Sequence, residues 1–246
     1  MKPIKKPARR AYGKANDGTP VVSVTTVLGQ TLGWSKDALM FYAAREAASE
    51  AVRMKNRGLT DEECIRLGKM AHVAKRDAAA DAGKTAHAMI EAYLTGGDPE
   101  EAVDPFSPAE VVERARSAYR KFVTWWETAG YTVVHTEVMY VDRETGYGGT
   151  ADLILRAPDG ALVVADVKTG KGIYDEVAIQ LAAYATLARQ NALPVTRGLV
   201  IHVPVDGEMR THDVPTLVLD RMATAFAALL LVHKSRKLIT LEKEAA

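Results

Sequence analysis

The run ALVVADVKT (161–169) decides how this chain folds. It is almost wholly apolar and rich in valine, lies between Pro158-Asp159-Gly160 and Gly170, and has the length and composition of a strand buried on both faces. Two charges interrupt it, Asp166 and Lys168. Two residues apart on a strand, their side chains share one face of the sheet. A lone D-x-K pair is common and reads most simply as an exposed ion pair. Inside an apolar strand the reading changes, because buried strands rarely accept Asp and Lys without a task for them.

Two further β-rich runs precede it, YTVVHTEVMYV (131–141) and GGTADLILRA (148–157), separated by the turn sequence Asp142-Arg143-Glu144-Thr145-Gly146. Together the three predict an antiparallel meander, which sets Asp152 beside Asp166. Two carboxylates and an ammonium then converge. Paired acidic oxygens on neighbouring strands suit a hard divalent cation, Mg²⁺ or Mn²⁺, with positions left for water and a phosphate oxygen. Such a site supports metal-assisted phosphodiester hydrolysis, with Lys168 orienting the nucleophile or stabilising developing charge. Gly148 and Gly149 would let a metal or a DNA backbone come close.

Helical patterns flank the meander. Residues 36–56 form one helix, with Ser35 as its N-cap; Thr60-Asp61-Glu62-Glu63 starts a second that runs to Leu94, with a break near Gly83. Ser107-Pro108-Ala109-Glu110 opens a third in capping-box form, ending near Thr128. After the central strand come a helix at 174–190, a strand at 198–205, a turn at Asp206-Gly207, a strand at 209–215 and a helix at about 218–237. The order is helices, then α-β-β-β-α-β, then an appended strand and helix. Trp125, Trp126 and Tyr131 invite a base-stacking reading, but helix-face packing in the core is the simpler one.

At 246 residues and 48% hydrophobic content the chain can bury one substantial core. The expectation is one domain over residues 20–246, helical over 20–130 with a catalytic core at 108–205, preceded by a basic flexible arm at 1–19. The single cysteine, Cys64, excludes an internal disulfide and cannot alone hold zinc or an iron–sulfur cluster. No stretch reads as a secretory signal or reaches transmembrane length, so a cytoplasmic protein is expected. Six cations and no anions lie in residues 1–14; the remaining 26 cations face 31 anions, a net charge of −5. A polyanionic partner would therefore have to be held by a local basic groove.

The motifs Gly149-Thr150-Ala151-Asp152, Asp166-Val167-Lys168-Thr169-Gly170-Lys171 and Gln180-Leu181-Ala182-Ala183-Tyr184 resemble, in order, the G-x-x-D … D-x-K … Q-x-x-x-Y signature of RecB-like nucleases in the PD-(D/E)XK superfamily. Upstream, Gly83-Lys84-Thr85-Ala86-His87 and Glu91 resemble the G-T-x-x-H-x-x-x-E helix of that branch, although Lys84 stands where many relatives have Thr. Val22-Ser23-Val24-Thr25-Thr26-Val27-Leu28 is similar to the opening of phage-encoded members.

The resemblance implies an α/β (α+β) restriction-endonuclease-like fold, a core α-β-β-β-α-β around a mixed sheet. It implies Asp152, Asp166, Lys168 and Gln180 as catalytic residues and His87, Asp152, Asp166 and the Val167 carbonyl as metal ligands. Glu137 and Glu91 become candidates for the metal or its surroundings, and Tyr184, Lys171 and Thr169 for DNA contact. The cysteine cluster of iron–sulfur relatives is absent. The implied activity is a Mg²⁺- or Mn²⁺-dependent DNA exonuclease of phage-type recombination or end processing, with a single-strand annealing protein as a possible partner. A structure-specific or restriction-type endonuclease would use the same site. A catalytically silent DNA-binding scaffold should have lost one of Asp152, Asp166 and Lys168.

Overall fold

The computed structural model describes residues 12–32, 36–205 and 207–236. Ser35 as a cap, the turn at Asp206 and the end of the last helix at 237 lie outside them. Along the chain run β1 (Val22–Ser23), α1 (Val24–Thr31), α2 (Lys36–Lys55), α3 (Asp61–Thr95), a 3₁₀ turn (Pro99–Ala102), α4 (Ala109–Ala129), β2 (Thr132–Asp142), β3 (Tyr147–Arg156), β4 (Leu162–Lys168), α5 (Glu176–Gln190), β5 (Val195–His202), β6 (Arg210–Val214) and α6 (Thr216–Ser235). The expected α-β-β-β-α-β core is α4-β2-β3-β4-α5-β5, and the appended strand and helix are β6 and α6.

The strands form one mixed six-stranded sheet. β2, β3 and β4 are the antiparallel meander, α5 crosses over to set β5 parallel to β4, and β6 returns antiparallel to β5. Alternation along β3 and β4 divides the interior in two. On one face Ile154, Val164 and Val200 pack with α1, α5 and α6; on the other Leu153, Leu155, Val163, Ala165 and Val167 meet Ala86, Met89 and Ile90 of α3 and Ala115, Ala118 and Phe122 of α4. Trp126 stacks on Phe122 at 5.7 Å, and Trp125 packs edge-on against it, so the tryptophan pair serves this core.

One irregularity in the sheet creates the site. β3 pairs with β4 only through Leu153↔Ala165 to Arg156↔Leu162, and β1 takes the same edge of β3 at Tyr147 and Gly148. Between those segments β3 and β4 part, and Asp152 stands at the fork.

Helix ends follow local chemistry. Thr60 and Glu63 form a reciprocal capping box at the start of α3. At α4 the expected box is absent: Pro108 itself occupies the N-cap position, without a side-chain cap, which leaves Ser107 one residue too early to reach the first free N–H groups. α3 does not break at Gly83 but runs unbroken for 35 residues. Here the glycine answers a packing need, because a Cβ would lie 3.0 Å from Thr169 Oγ1.

Residues 12–19, expected within the flexible arm, are tied to the body of the protein. Residues 12–20 form a turn closed by a Lys14↔Pro20 bridge, with Ala15 buried, Arg143 donating to the Lys14 carbonyl and Tyr12 lying over Gly148. α6 is long and apolar enough to cross a bilayer by length and composition, contrary to the expectation that no stretch is. It docks on the sheet through Leu219, Phe226 and Leu230, and its Asp220 pairs with Arg189 of α5 at 2.8 Å.

Candidate metal and phosphate site

The fork between β3 and β4 positions the functional side chains. The ladder register, Leu153↔Ala165 on one side and Thr136↔Leu153 with Val138↔Ala151 on the other, sets Asp152 across from both Asp166 and Glu137. Asp152 Oδ2 accepts the Val167 N–H at 2.9 Å, so the carboxylate takes the place of a missing strand partner. A residue's N–H and C=O leave a strand on the same edge, so the Val167 carbonyl faces this opening too. The next carbonyl, that of Lys168, is turned to the other edge, where it accepts from Val203 at 2.8 Å.

α3 supplies the remaining wall. His87 Nδ1 lies 3.5 Å from Asp152 Oδ2, and donor atoms of His87, Glu137 and Asp152 lie within 4.8 Å of one another. His87, Glu91, Glu137, Asp152 and Val167 line one small cleft. Glu137, at φ 46°, has a left-handed backbone that is costly for a non-glycine residue, and it sits where β2 faces the fork.

On the other side of Asp152 a buried polar chain links β4 to α5. Lys168 Nζ stands 2.7 Å from Asp166 Oδ2, an ion-pair contact without hydrogen-bond alignment, which leaves that buried oxygen with unused accepting capacity. Gln180 Nε2 donates to Asp166 Oδ1 and to Tyr184 Oη, each at 3.1 Å, and Gln180 Oε1 accepts from Lys168 at 3.3 Å. Asp166 is 1% exposed, whereas the Lys168 side chain is 29% exposed. Burial, with Asp166 as an adjacent negative charge, pushes the Asp152 carboxyl up to about 6; His87, the Val167 N–H and Lys168 oppose the shift. A carboxylate so placed gains from a cation.

The structure separates the expected residues into three groups. His87, Glu137 and Asp152 form the cluster able to hold a cation, with Val167 C=O and Glu91 beside it. Asp166, expected as a ligand, lies outside that cluster, engaged with Lys168 and Gln180. Tyr184, expected at the DNA, is buried; its ring fills the space over Gly149, where a Cβ would stand 2.3 Å from Cε1. The close approach permitted by Gly148 and Gly149 is made here by Tyr12 and Tyr184. Thr169 packs under Gly83, and Lys171 is exposed past the strand end.

One histidine without a motif, read from the sequence as structural, has a definite task. His202 pairs in register with Lys168, is buried, and its Nε2 lies 2.7 Å from the Gly170 carbonyl, which ties down the loop that leaves β4. Only a run of apolar residues before it marked its strand, so nothing local pointed to the loop.

With that geometry in place, the chain matches the profile of the PD-(D/E)XK nuclease superfamily over residues 62–217. The chain belongs to that superfamily. It is a nuclease whose profile match begins in α3, contains His87, Asp152, Asp166, Lys168 and Gln180, and ends in α6. Solved structures with some similarity include a presumed exonuclease from Eubacterium rectale, at 14% identity and TM-score 0.48, covering 67% of this chain and 69% of that one. LHK-Exo in complex with dAMP is another, at 16% identity and TM-score 0.32, covering 66% of this chain and 97% of that one. No curated protein matches the chain.

Proposed function

We propose that this nuclease is a Mg²⁺- or Mn²⁺-dependent deoxyribonuclease that digests linear DNA from its ends. The observation that carries the metal requirement is the convergence of one imidazole and two carboxylates at the fork, beside a part-buried Asp166–Lys168–Gln180 chain whose charges act on Asp152. Oxygen-rich donors with one nitrogen suit a hard or borderline divalent ion. His87, Glu137, Asp152 and the Val167 carbonyl would hold it. When bound, such an ion acidifies water and neutralises charge on a phosphate.

The chain's own groups do the rest. Lys168, partly exposed, donates to the attacking water or to a non-bridging phosphate oxygen, and Asp166 and Gln180 hold its ammonium in place. Tyr184, kept protonated by burial, fixes Gln180 in turn. Thr169 and Lys171, at the loop beyond β4, would contact the adjoining phosphate.

Attack at ends in particular rests on the sequence resemblance. So does a place in phage-type recombination or DNA end processing beside a single-strand annealing protein. Incubating the purified protein with end-labelled linear duplex and with closed circular DNA tests the reading. Mononucleotides should be released from the linear form only, with Mg²⁺ or Mn²⁺, and not by Lys168→Ala. Cleavage indifferent to both metal and mutation refutes it.

A further inference from the structure

α3 extends well beyond the site it serves. Only its C-terminal part packs on the sheet, through Ala86, Met89 and Ile90; the N-terminal part meets α2, through buried Cys64 and Gly68 and the Lys75–Glu46 ion pair. At about 100° per residue, Gly68 and Lys75 lie roughly 100–120° around the axis from His87. α2 therefore leaves the His87 side of the helix uncovered.

That uncovered side is basic. Lys69 falls directly in line with His87, Arg76 about 20° away, and Arg66, His72 and Lys84 within about 60°. Within the same sector the only acid N-terminal to His87 is Glu62, at the far tip of the helix; Asp77, Asp81 and Glu63 lie farther round. Lys69, Arg66, Arg76 and Lys84 are all exposed; Arg76 and Lys84 pair with Asp77 at 2.9 Å and with Asp81 at 2.8 Å on the border of the stripe, surface ion pairs weak enough to be exchanged for a phosphate. At the base of the stripe Gly83 rests on Thr169, so the row of cations leads out from the loop carrying Lys171 and from the partly exposed Lys168. The body of the chain carries net negative charge, so a row of exposed cations with its acids at the border is the kind of local basic groove that a polyanion requires.

Resting on the deoxyribonuclease reading, we propose that this face of α3 is a rail for the DNA backbone outside the site, engaged by Lys69 and Arg76 with Arg66 and Lys84 at its flanks. From His87 to Lys69 the rise is about 27 Å at ~1.5 Å per residue, which spans about eight base pairs of duplex at ~3.4 Å each. The contacts are to phosphates, so they set length and salt dependence and carry no sequence preference.

The test is binding without cleavage, in Ca²⁺ or EDTA, of duplexes from about 4 to 20 base pairs at several salt concentrations. In the wild type affinity rises with length until about eight base pairs beyond the site are present. In Lys69→Glu/Arg76→Glu that rise disappears, affinity for the long duplex falls roughly tenfold or more, and the log–log salt slope shrinks by about two. The comparison variant is Arg53→Glu/Lys55→Glu, which removes two cations from the end of α2. Equal losses in both double variants, or an unchanged slope in the first, overturn the proposal. Full rail-dependent binding by a protein that never cleaves DNA would leave the rail standing and remove the nuclease reading beneath it.

Discussion

Gly149→Ala adds one methyl at the point where the first and third motifs touch. The new Cβ would lie 2.3 Å from Tyr184 Cε1, 2.9 Å from Cδ1 and 3.1 Å from Val24 Cγ2, whereas carbon atoms rest at about 3.5–4.0 Å. The ring must retreat by more than about 1 Å, yet Tyr184 is only 4% exposed and has Ala151 and Val24 around it in the same core. Overpacking of this kind costs about 1–3 kcal/mol, which lowers Tm by roughly 2–4 °C per kcal/mol for a chain of this size. The consequence does not stop at stability, because Tyr184 Oη holds Gln180, and Gln180 holds Asp166 and Lys168. Displacing the ring should lower kcat roughly tenfold to a hundredfold with little change in DNA affinity. Calorimetry and steady-state digestion read both effects. Tyr184→Leu in the same chain should return much of the lost Tm by making room for the methyl, but not the activity, since Gln180 stays unsupported. A Gly149→Ala protein with wild-type Tm and kcat would refute this account of why the motif begins with glycine.

Three further outcomes are expected. Asp152→Asn should stabilise the metal-free protein at neutral pH: a carboxyl raised from 3.8 to about 6 favours its protonated form in the fold, so its contribution is intact below about pH 4 and is lost as pH rises through 6. Denaturation at pH 4 and pH 7.5 should show the variant's advantage growing from near zero to at most about 3 kcal/mol; a pH-independent difference contradicts the assignment. Gln180→Leu should cost about 1–3 kcal/mol in urea unfolding and lower kcat more than KM changes, because it leaves Asp166 Oδ1 without its donor; unaltered kinetics would remove Gln180 from the site. His202→Phe should loosen the loop after Lys168, seen as faster proteolysis between Thr169 and Tyr174 and a raised KM, while His202→Gln restores part of both by bonding the Gly170 carbonyl again.

Much of the site was legible because it interrupts a pattern. Asp166 and Lys168 stand out in β4 since everything around them is apolar, and Asp152 followed from the hairpin that β3 and β4 had to make. Glu137 was harder to read. Its place depends on the β2–β3 register, which shifts between Val133 and His135, and no local pattern reveals a bulge. Asp166 was expected to bind metal because it neighbours Asp152; the fork turns Asp152 toward His87, while Asp166 holds Lys168 and Gln180 and keeps accepting capacity at its buried Oδ2. β1 and α1 went unread as elements because two strand residues and an eight-residue helix fall below what periodicity resolves, although Ser23 does cap α1 through the Thr26 N–H. Gly83 looked like a helix breaker, and only the tertiary contact with Thr169 shows why it is tolerated. His202 is joined to Lys168 by a parallel pairing across α5, a relation that sequence separation hides.

The most direct measurement is a calorimetric titration of Mn²⁺ into the wild type and into Glu137→Gln and His87→Ala. Binding at the fork predicts a wild-type heat of association that weakens roughly tenfold to a hundredfold in each variant, with the variants still folded. Equal Mn²⁺ affinity in all three proteins, or none in the wild type, would contradict a cation site built from His87, Glu137 and Asp152.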